Sequence, residues 1–358
     1  MGFEVELLAP RGTSREDLAR RVASNIGGWM QRFFHAQSEP SKVPGTPVFE
    51  NLTPGFRVLS DDGNLVADFV DDVTLQDGLD KHAAPRPGWY RIVSDDARIL
   101  QLVVRYCDPL APLASILEPL AQLFGTEIDR DPAGMMVKVI DARNASVALA
   151  APLPGERDRP CEIITAPLLS GQQQTLAMLL TQARAAGFTL PKEGATHIHF
   201  DAARLKSAAA IARLVGLLSR HGPQLKRLLG TNPNCVRLGD WPESLLQLVE
   251  TPGFAASDWP TALAALRKLK LVKFCDFNLA NLVGENPAKQ TFEVRILPAY
   301  LEAEPILKAA ELFQAILVWC ADPPLGAGEI PHTLAELFAE LMPNGELPTA
   351  GIYGSPIS

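Results

Sequence analysis

Three short apolar runs each carry two polar side chains two positions apart: Gly2-Phe3-Glu4-Val5-Glu6-Leu7-Leu8, Thr196-His197-Ile198-His199-Phe200 and Thr291-Phe292-Glu293-Val294-Arg295-Ile296-Leu297. Residues i and i+2 of a β-strand point to the same face. Each polar pair therefore projects to one side, and Val5, Ile198 and Val294 project to the other, where a core can cover them. Two carboxylates, two imidazoles, and a carboxylate beside a guanidinium are costly on the concave face of a sheet unless something binds there. Together the runs predict a metal and phosphate site built on strands.

The chain has 358 residues, enough for one large domain or two ordinary ones. Its 47% apolar and 21% charged residues are those of a globular protein with a sizeable core. A formal charge of −8, with no Lys/Arg-dense stretch to offset it, argues against a nucleic-acid surface. The five cysteines are odd in number, widely spaced and free of any Cys-x-x-Cys pair, as expected in a reducing cytosol. Glu4 and Glu6 stand where a signal peptide would be apolar, and no apolar stretch approaches the ~18 residues of a membrane span. The expectation is a cytoplasmic protein with no membrane or nucleic-acid partner.

Periodicity predicts a strand at 2–9 and a helix opening at the Ser14/Asp17 capping pattern and running to Phe34. His35–Pro47 reads as a break. Residues 47–105 read as short strands between turns, and Leu110–Phe124 as a helix. Strands follow near 135–141, 145–150, 161–165, 195–200, 272–277 and 290–297. Helices are expected at 171–186, 202–220, 223–229, 243–250, 260–269 and 303–320. This irregular alternation favours α+β with an antiparallel or mixed sheet. From about Pro343 the chain reads as a Gly/Pro-rich tail.

Singly, each motif has an ordinary reading. A Glu-x-Glu on a strand is usually a solvated face, a His-x-His can be two satisfied histidines, and Glu293-x-Arg295 can be a surface pair worth little. Paired imidazoles do suit divalent cations, and three i,i+2 pairs in three apolar runs raise the odds for all. A fourth acid, Glu162, lies in Pro160-Cys161-Glu162-Ile163-Ile164-Thr165.

The order of Gly-Phe-Glu-Val-Glu, Cys-Glu-Ile-Ile-Thr-Ala-Pro-Leu (161–168), Thr-His-Ile-His-Phe-Asp (196–201) and Phe-Glu-Val-Arg-Ile (292–296) resembles the amidoligases. These are carboxylate–amine ligases of the glutamine synthetase-like superfamily. Lys273-Phe-Cys-Asp-Phe-Asn278-Leu is similar to that family's segment ending in Asn-Leu. The resemblance implies a curved antiparallel sheet with flanking helices, whose concave face holds ATP and Mg²⁺ or Mn²⁺. It implies metal ligands at Glu4, Glu6, Glu162, His197 and Glu293, a phosphate contact at Arg295, and amide synthesis through an acyl phosphate. Small-molecule or peptide acids and amines would be the substrates; which ones, and the oligomeric state, stay open.

His199 either joins the metal ligands or holds the sheet beside them. Arg237, Lys273 and Asn278 are candidate nucleotide contacts, the two cations equally readable as surface charges. Asp141-Ala142-Arg143-Asn144 departs from the family's Asp followed by a Gly/Ser pair. Residues 45–125 have no counterpart in the family pattern and are expected to form a β-rich insertion in a domain spanning 1–342, ahead of the 343–358 tail. The acidic pairs Asp61/Asp62, Asp71/Asp72 and Asp95/Asp96 within it read as solvated turns. Two other readings compete with the ligase: a catalytically inactive nucleotide- or metal-binding interaction module of the same fold, and a metal-dependent hydrolase using His197 and His199. The hydrolase lacks a compact ligand motif such as His-Glu-x-x-His.

Overall fold

The computed structural model describes residues 1–40, 48–132, 135–168, 172–285, 290–323 and 329–341. The expected tail, 343–358, lies outside them. The chain is α+β, all the strand pairings described are antiparallel, and ten α-helices occur among the described residues. It divides into two compact units, one of Met1–Val5, Pro167–Ala177 and Glu193–Ser358, the other of Glu6–Ala166 and Met178–Lys192. Strand β1 (Gly2–Leu8) contributes its first residues to the former and its last three to the latter.

In the unit of residues 6–166, helix α1 (Arg15–Asn25) opens on a capping box in which the side chains and backbones of Ser14 and Asp17 bond reciprocally. The helix expected to reach Phe34 stops nine residues sooner. Gly27 takes φ +67°, and a Cβ on Gly28 would stand 2.0 Å from the carbonyl oxygen of Leu59. Only glycines make this corner, and the aromatic, strand-favouring stretch beyond it becomes β2 (Trp29–Pro40). Of the segment read as a break, His35–Pro40 is thus strand, and 41–47 lies outside the described residues. Its partner β3 (Val48–Leu59) lies between β4 (Leu65–Val70) and β5 (Tyr90–Val93) on its other edge.

Helices α2 (Ala97–Tyr106) and α3 (Glu118–Leu123) follow, so the helix expected over 110–124 is confined to its last turns, the Pro-rich Asp108–Pro112 stretch forming turns instead. Strands β6 (Ile128–Arg130), β7 (Val137–Ile140), β8 (Ser146–Pro152) and β9 (Pro160–Thr165) complete the unit. Its strand order is β9-β4-β3-β5-β8-β7-β6, with β2 beside β3. Leu100, Val103, Ile116, Leu117 and Leu120 pack with Leu52, Tyr90, Ile92, Val137, Val139 and Ala150 into one core cluster. Burying such side chains contributes roughly 25 cal/mol per Å² of apolar surface. The stretch expected to be an insertion therefore supplies central strands of this unit.

Helix α4 (Gln172–Ala185) leads to the second half of the other unit: β10 (Ala195–Asp201), α5 (Ala208–Leu229), α6 (Glu243–Glu250), α7 (Trp259–Lys268), β11 (Phe277–Asn278), α8 (Ala280–Val283), β12 (Thr291–Pro298), α9 (Ala303–Ala321) and α10 (Leu334–Leu341). The helices expected at 202–220 and 223–229 are one, because Pro223 sits within α5 without ending it. The strand expected over 272–277 shrinks to two residues. In the order β11-β12-β10-β1, Ile198, Val294 and Ile296 are wholly buried, and α5 and α9 pack beside β12 and β10. The opposite face carries the polar pairs.

Candidate functional site

Antiparallel register sets the site. Glu4 stands opposite His197 on β1 and β10, and His199 stands opposite Glu293 on β10 and β12. Directly opposed side chains on one face interact across the strands. Glu4 Oε2 lies 3.0 Å from His197 Nδ1, and Glu4 Oε1 lies 3.0 Å from His199 Nε2. Glu293 Oε1 is 3.6 Å from His197 Nδ1, 3.9 Å from His199 Nε2 and 2.5 Å from Arg295 Nη1. Its other oxygen accepts from Asn278 Nδ2 at 2.6 Å. Thr291 Oγ1 lies 3.3 Å from His199 Nδ1. Glu293 and Arg295 are nearly wholly buried.

Burial works against every charge here, and the partners outweigh it unevenly. For Glu4, the imidazoles of His199 and His197 overcome burial and hold the carboxyl well below its ordinary range. For Glu293, Arg295 and then His199 do the same. Burial also presses on His199, but Glu4 and Glu293 push it up to about 9. On His197, burial and the Arg295 charge win, and its pKa falls. Two imidazoles of one strand thus have opposite tendencies, His199 cationic and His197 neutral.

One oxygen or nitrogen each from Glu4, His199 and Glu293 lie within 4.8 Å of one another. His199 Nε2 is buried and faces Glu4 Oε1 at 3.0 Å. Hard carboxylate oxygens with an imidazole nitrogen fit a divalent cation such as Mg²⁺ or Mn²⁺. Glu4, His199 and Glu293 would hold it.

In the unit of residues 6–166, Glu6, Asp72 and Glu162 form a second group with ligand atoms within 4.8 Å. Glu162 is paired in register with Val70, and Asp72 follows that strand by two residues. The expectation of a solvated turn at Asp71/Asp72 is therefore wrong, since both are buried. Asp71 is bound by Arg157 at 2.5 Å, while Asp72 Oδ1 accepts from the backbone and hydroxyl of Thr74. Asp61 and Asp62 are exposed as expected, and Asp96 caps α2.

Arg237 and Lys273 do not touch the Glu–His cluster among the contacts described; both lie over the ring of Phe274, at 5.6 and 5.9 Å. Asp276 was not among the expected residues. It binds Lys226 Nζ at 2.8 Å and the Gly239 backbone N–H at 2.9 Å, and its carbonyl accepts from Arg295 N–H at 3.0 Å. It fastens the Arg237 loop and the Lys273 segment to the strand bearing Glu293 and Arg295. Burial pushes the Cys275 thiol up to about 12, which suits a packed apolar residue rather than a nucleophile.

No helix among the described residues is long and apolar enough to cross a membrane. Comparison with curated proteins and with solved structures finds no match. A family model described as "putative amidoligase enzyme" matches residues 1–250, a span that holds Glu4, Glu6, Asp72, Glu162, His197 and His199 and stops short of Glu293 and Arg295. A match over more than half of the chain, covering three of the four segments whose order resembles the amidoligases, makes this protein a member of that amidoligase family.

Proposed function

We propose that the protein is an ATP-dependent carboxylate–amine ligase of the glutamine synthetase-like type, working with Mg²⁺ or Mn²⁺. The observation that carries this reading is the convergence of Glu4, His197, His199 and Glu293 on one strand face beside the buried Arg295. Burial of so many ionisable groups is costly, and a bound cation and polyphosphate would relieve it.

In this reading Glu4, His199 and Glu293 hold one cation, with neutral His197 packed against Glu4. Glu6, Glu162 and Asp72 supply carboxylates for a further cation. Arg295 and Asn278 contact the nucleotide phosphates, Arg295 neutralising charge on the transferred group. The acid's carboxylate oxygen attacks the terminal phosphorus and ADP leaves. The amine then attacks the acyl carbon, inorganic phosphate leaves, and the amide nitrogen loses a proton. The substrates are small-molecule or peptide acids and amines, and the setting is cytoplasmic.

Incubation with ATP, Mg²⁺ and pooled acids and amines should release phosphate only when both partners are present, with a product one water lighter than their sum. ATP binding without phosphate release in any pool would favour the inactive module.

A further inference from the structure

The polar face of β12 does not begin at Glu293. Thr291 lies two residues earlier, so Thr291, Glu293 and Arg295 share one side of the strand. The register sets Thr291 opposite Asp201 and Glu293 opposite His199, which makes Thr291 a diagonal neighbour of His199. Thr291 Oγ1 stands 3.3 Å from His199 Nδ1 and accepts from Asn281 Nδ2, also at 3.3 Å. The other ring nitrogen, Nε2, faces Glu4 Oε1 at 3.0 Å and Glu293 Oε1 at 3.9 Å. The imidazole is thus held at one nitrogen by a hydroxyl, and its other nitrogen is turned to the carboxylates.

Asn281 is itself anchored. Leu279, Leu282 and Val283 beside it are buried, and Arg267 donates to the carbonyls of Val283 and Gly284. Earlier in the same segment, Asn278 donates to Glu293 Oε2 at 2.6 Å and accepts from Ala280 N–H at 2.8 Å. The segment from Asn278 to Asn281 therefore reaches two of the side chains that would hold the cation, Glu293 directly and His199 through Thr291.

A cation on Nε2 leaves the single proton of the neutral imidazole on Nδ1. That N–H can donate to one lone pair of Thr291 Oγ1 while the other accepts from Asn281. Partners of this kind behind a ligating imidazole fix both its tautomer and its ring orientation. We infer that Thr291 and Asn281 are positioning residues: through Thr291 Oγ1 they hold the His199 ring so that Nε2, and not Nδ1, is presented to a divalent cation beside Glu4 and Glu293. The inference rests on the ligase reading for the use made of that cation, but the binding it concerns needs neither ATP nor turnover.

Calorimetric titration of the full chain with MnCl₂, without ATP and at fixed pH and ionic strength, tests it; the binding to follow is the part that His199→Gln removes. Thr291→Val keeps the shape of the side chain and loses the hydroxyl, and should weaken that binding about tenfold or more. Thr291→Ser should restore it. Asn281→Leu leaves Thr291 in place without its donor and should shift the affinity in the same direction as Thr291→Val. Melting temperatures in EDTA should differ little among the variants, because Thr291 and Asn281 are both partly exposed, while the rise that Mn²⁺ produces should shrink in Thr291→Val and return in Thr291→Ser. Unchanged Mn²⁺ affinity in Thr291→Val or in Asn281→Leu, or a serine variant as weak as the valine one, overturns the inference. A wild type with no His199-dependent Mn²⁺ binding overturns it together with the cation site. Loss in the valine variant and rescue by serine, with no phosphate release in any acid and amine pool, overturns the ligase reading alone.

Discussion

Glu4 Oε2 and His197 Nδ1 meet at 3.0 Å although 193 positions separate them in the chain. The contact follows from register alone, since β1 and β10 place the two residues directly opposite. On the same face His199 is opposed by Glu293. The cluster's ionisation is therefore a property of strand pairing, and so is its response to pH.

In the metal-free protein that response has a definite sign. His199 is raised from an ordinary 6.5 to about 9, so its contribution is complete below 6.5 and is lost as pH rises through 9. His197 is lowered, so its buried neutral ring disfavours the fold progressively as pH falls below 6.5. Glu4 and Glu293 are lowered from 4.5, so their contribution persists above 4.5 and fades below it. From this cluster, the melting temperature in EDTA should peak near pH 6.5, and His199→Gln should flatten the alkaline limb. An unchanged alkaline limb in that variant would show that His199 does not carry it.

Cation binding must displace the proton from His199. Affinity for Mn²⁺ should thus rise about tenfold per pH unit from 7 towards 9 and then level off. Titration at fixed ionic strength checks this. In His199→Gln the slope should vanish along with most of the affinity.

Asp72 gives a separate test in the unit of residues 6–166. Asp72→Asn keeps the Oδ1 contacts with Thr74 and removes the charge beside Glu6 and Glu162. It should leave thermal stability within about 1 kcal/mol, because surrounding packing is untouched. It should cost roughly tenfold or more in divalent-cation affinity at the Glu6–Glu162 group. Equal affinity in the variant would show that Asp72 stands outside any cation site.

Those residues also mark what the sequence made legible. An i,i+2 pair inside an apolar run fixes both a strand and a shared face, so the strands at 2–8, 195–201 and 291–298 could be read directly. Asp72 could not be read this way. The neighbouring pair Asp61/Asp62 is in an exposed turn, and only the pairing of β4 with β9 shows that this one is buried. The α1–β2 corner was hidden for the opposite reason, since Ile26, Met30 and Phe33 continue the helical spacing across it. Its cause is a tertiary contact, the Leu59 carbonyl closing on Gly28. Gly28→Ala should consequently destabilise by about 3 kcal/mol or more, the order expected for forced overlap in a packed region. Ala at this position with an unchanged melting temperature would mean that the corner relaxes freely.

Arg15 shows how firmly the same unit is tied around a charge. It is fully buried and donates to the carbonyls of Pro54, Arg157 and Pro160, with Trp89 stacked 4.5 Å from its guanidinium and Asp71 at 3.9 Å. Arg15→Met fills similar space but leaves three carbonyls without that donor and Asp71 with Arg157 alone. The expected loss is about 3–5 kcal/mol, read as a lower urea midpoint. The Glu4–Glu293 cluster belongs to the other unit by contact, so proteolysis should appear first within residues 6–166.

The Glu293–Arg295 pair separates binding from chemistry. Arg295 Nη1 lies 2.5 Å from Glu293, and Asn278 holds the carboxylate's second oxygen. In the ligase reading, Arg295→Ala removes charge where the transferred phosphoryl group develops it, and should lower kcat by about a hundredfold or more with a smaller change in ATP affinity. Glu293→Ala removes a cation ligand and strands a buried guanidinium, so metal-dependent nucleotide binding should fall first. Both variants should stay folded, because Phe292, Val294 and Ile296, which anchor β12 to the core, are unaltered. Equal losses of affinity and rate in Arg295→Ala would assign the arginine to ground-state binding. Unchanged binding in both variants, with an ATP-binding but inactive wild type, would leave this strand face without a role in nucleotide chemistry.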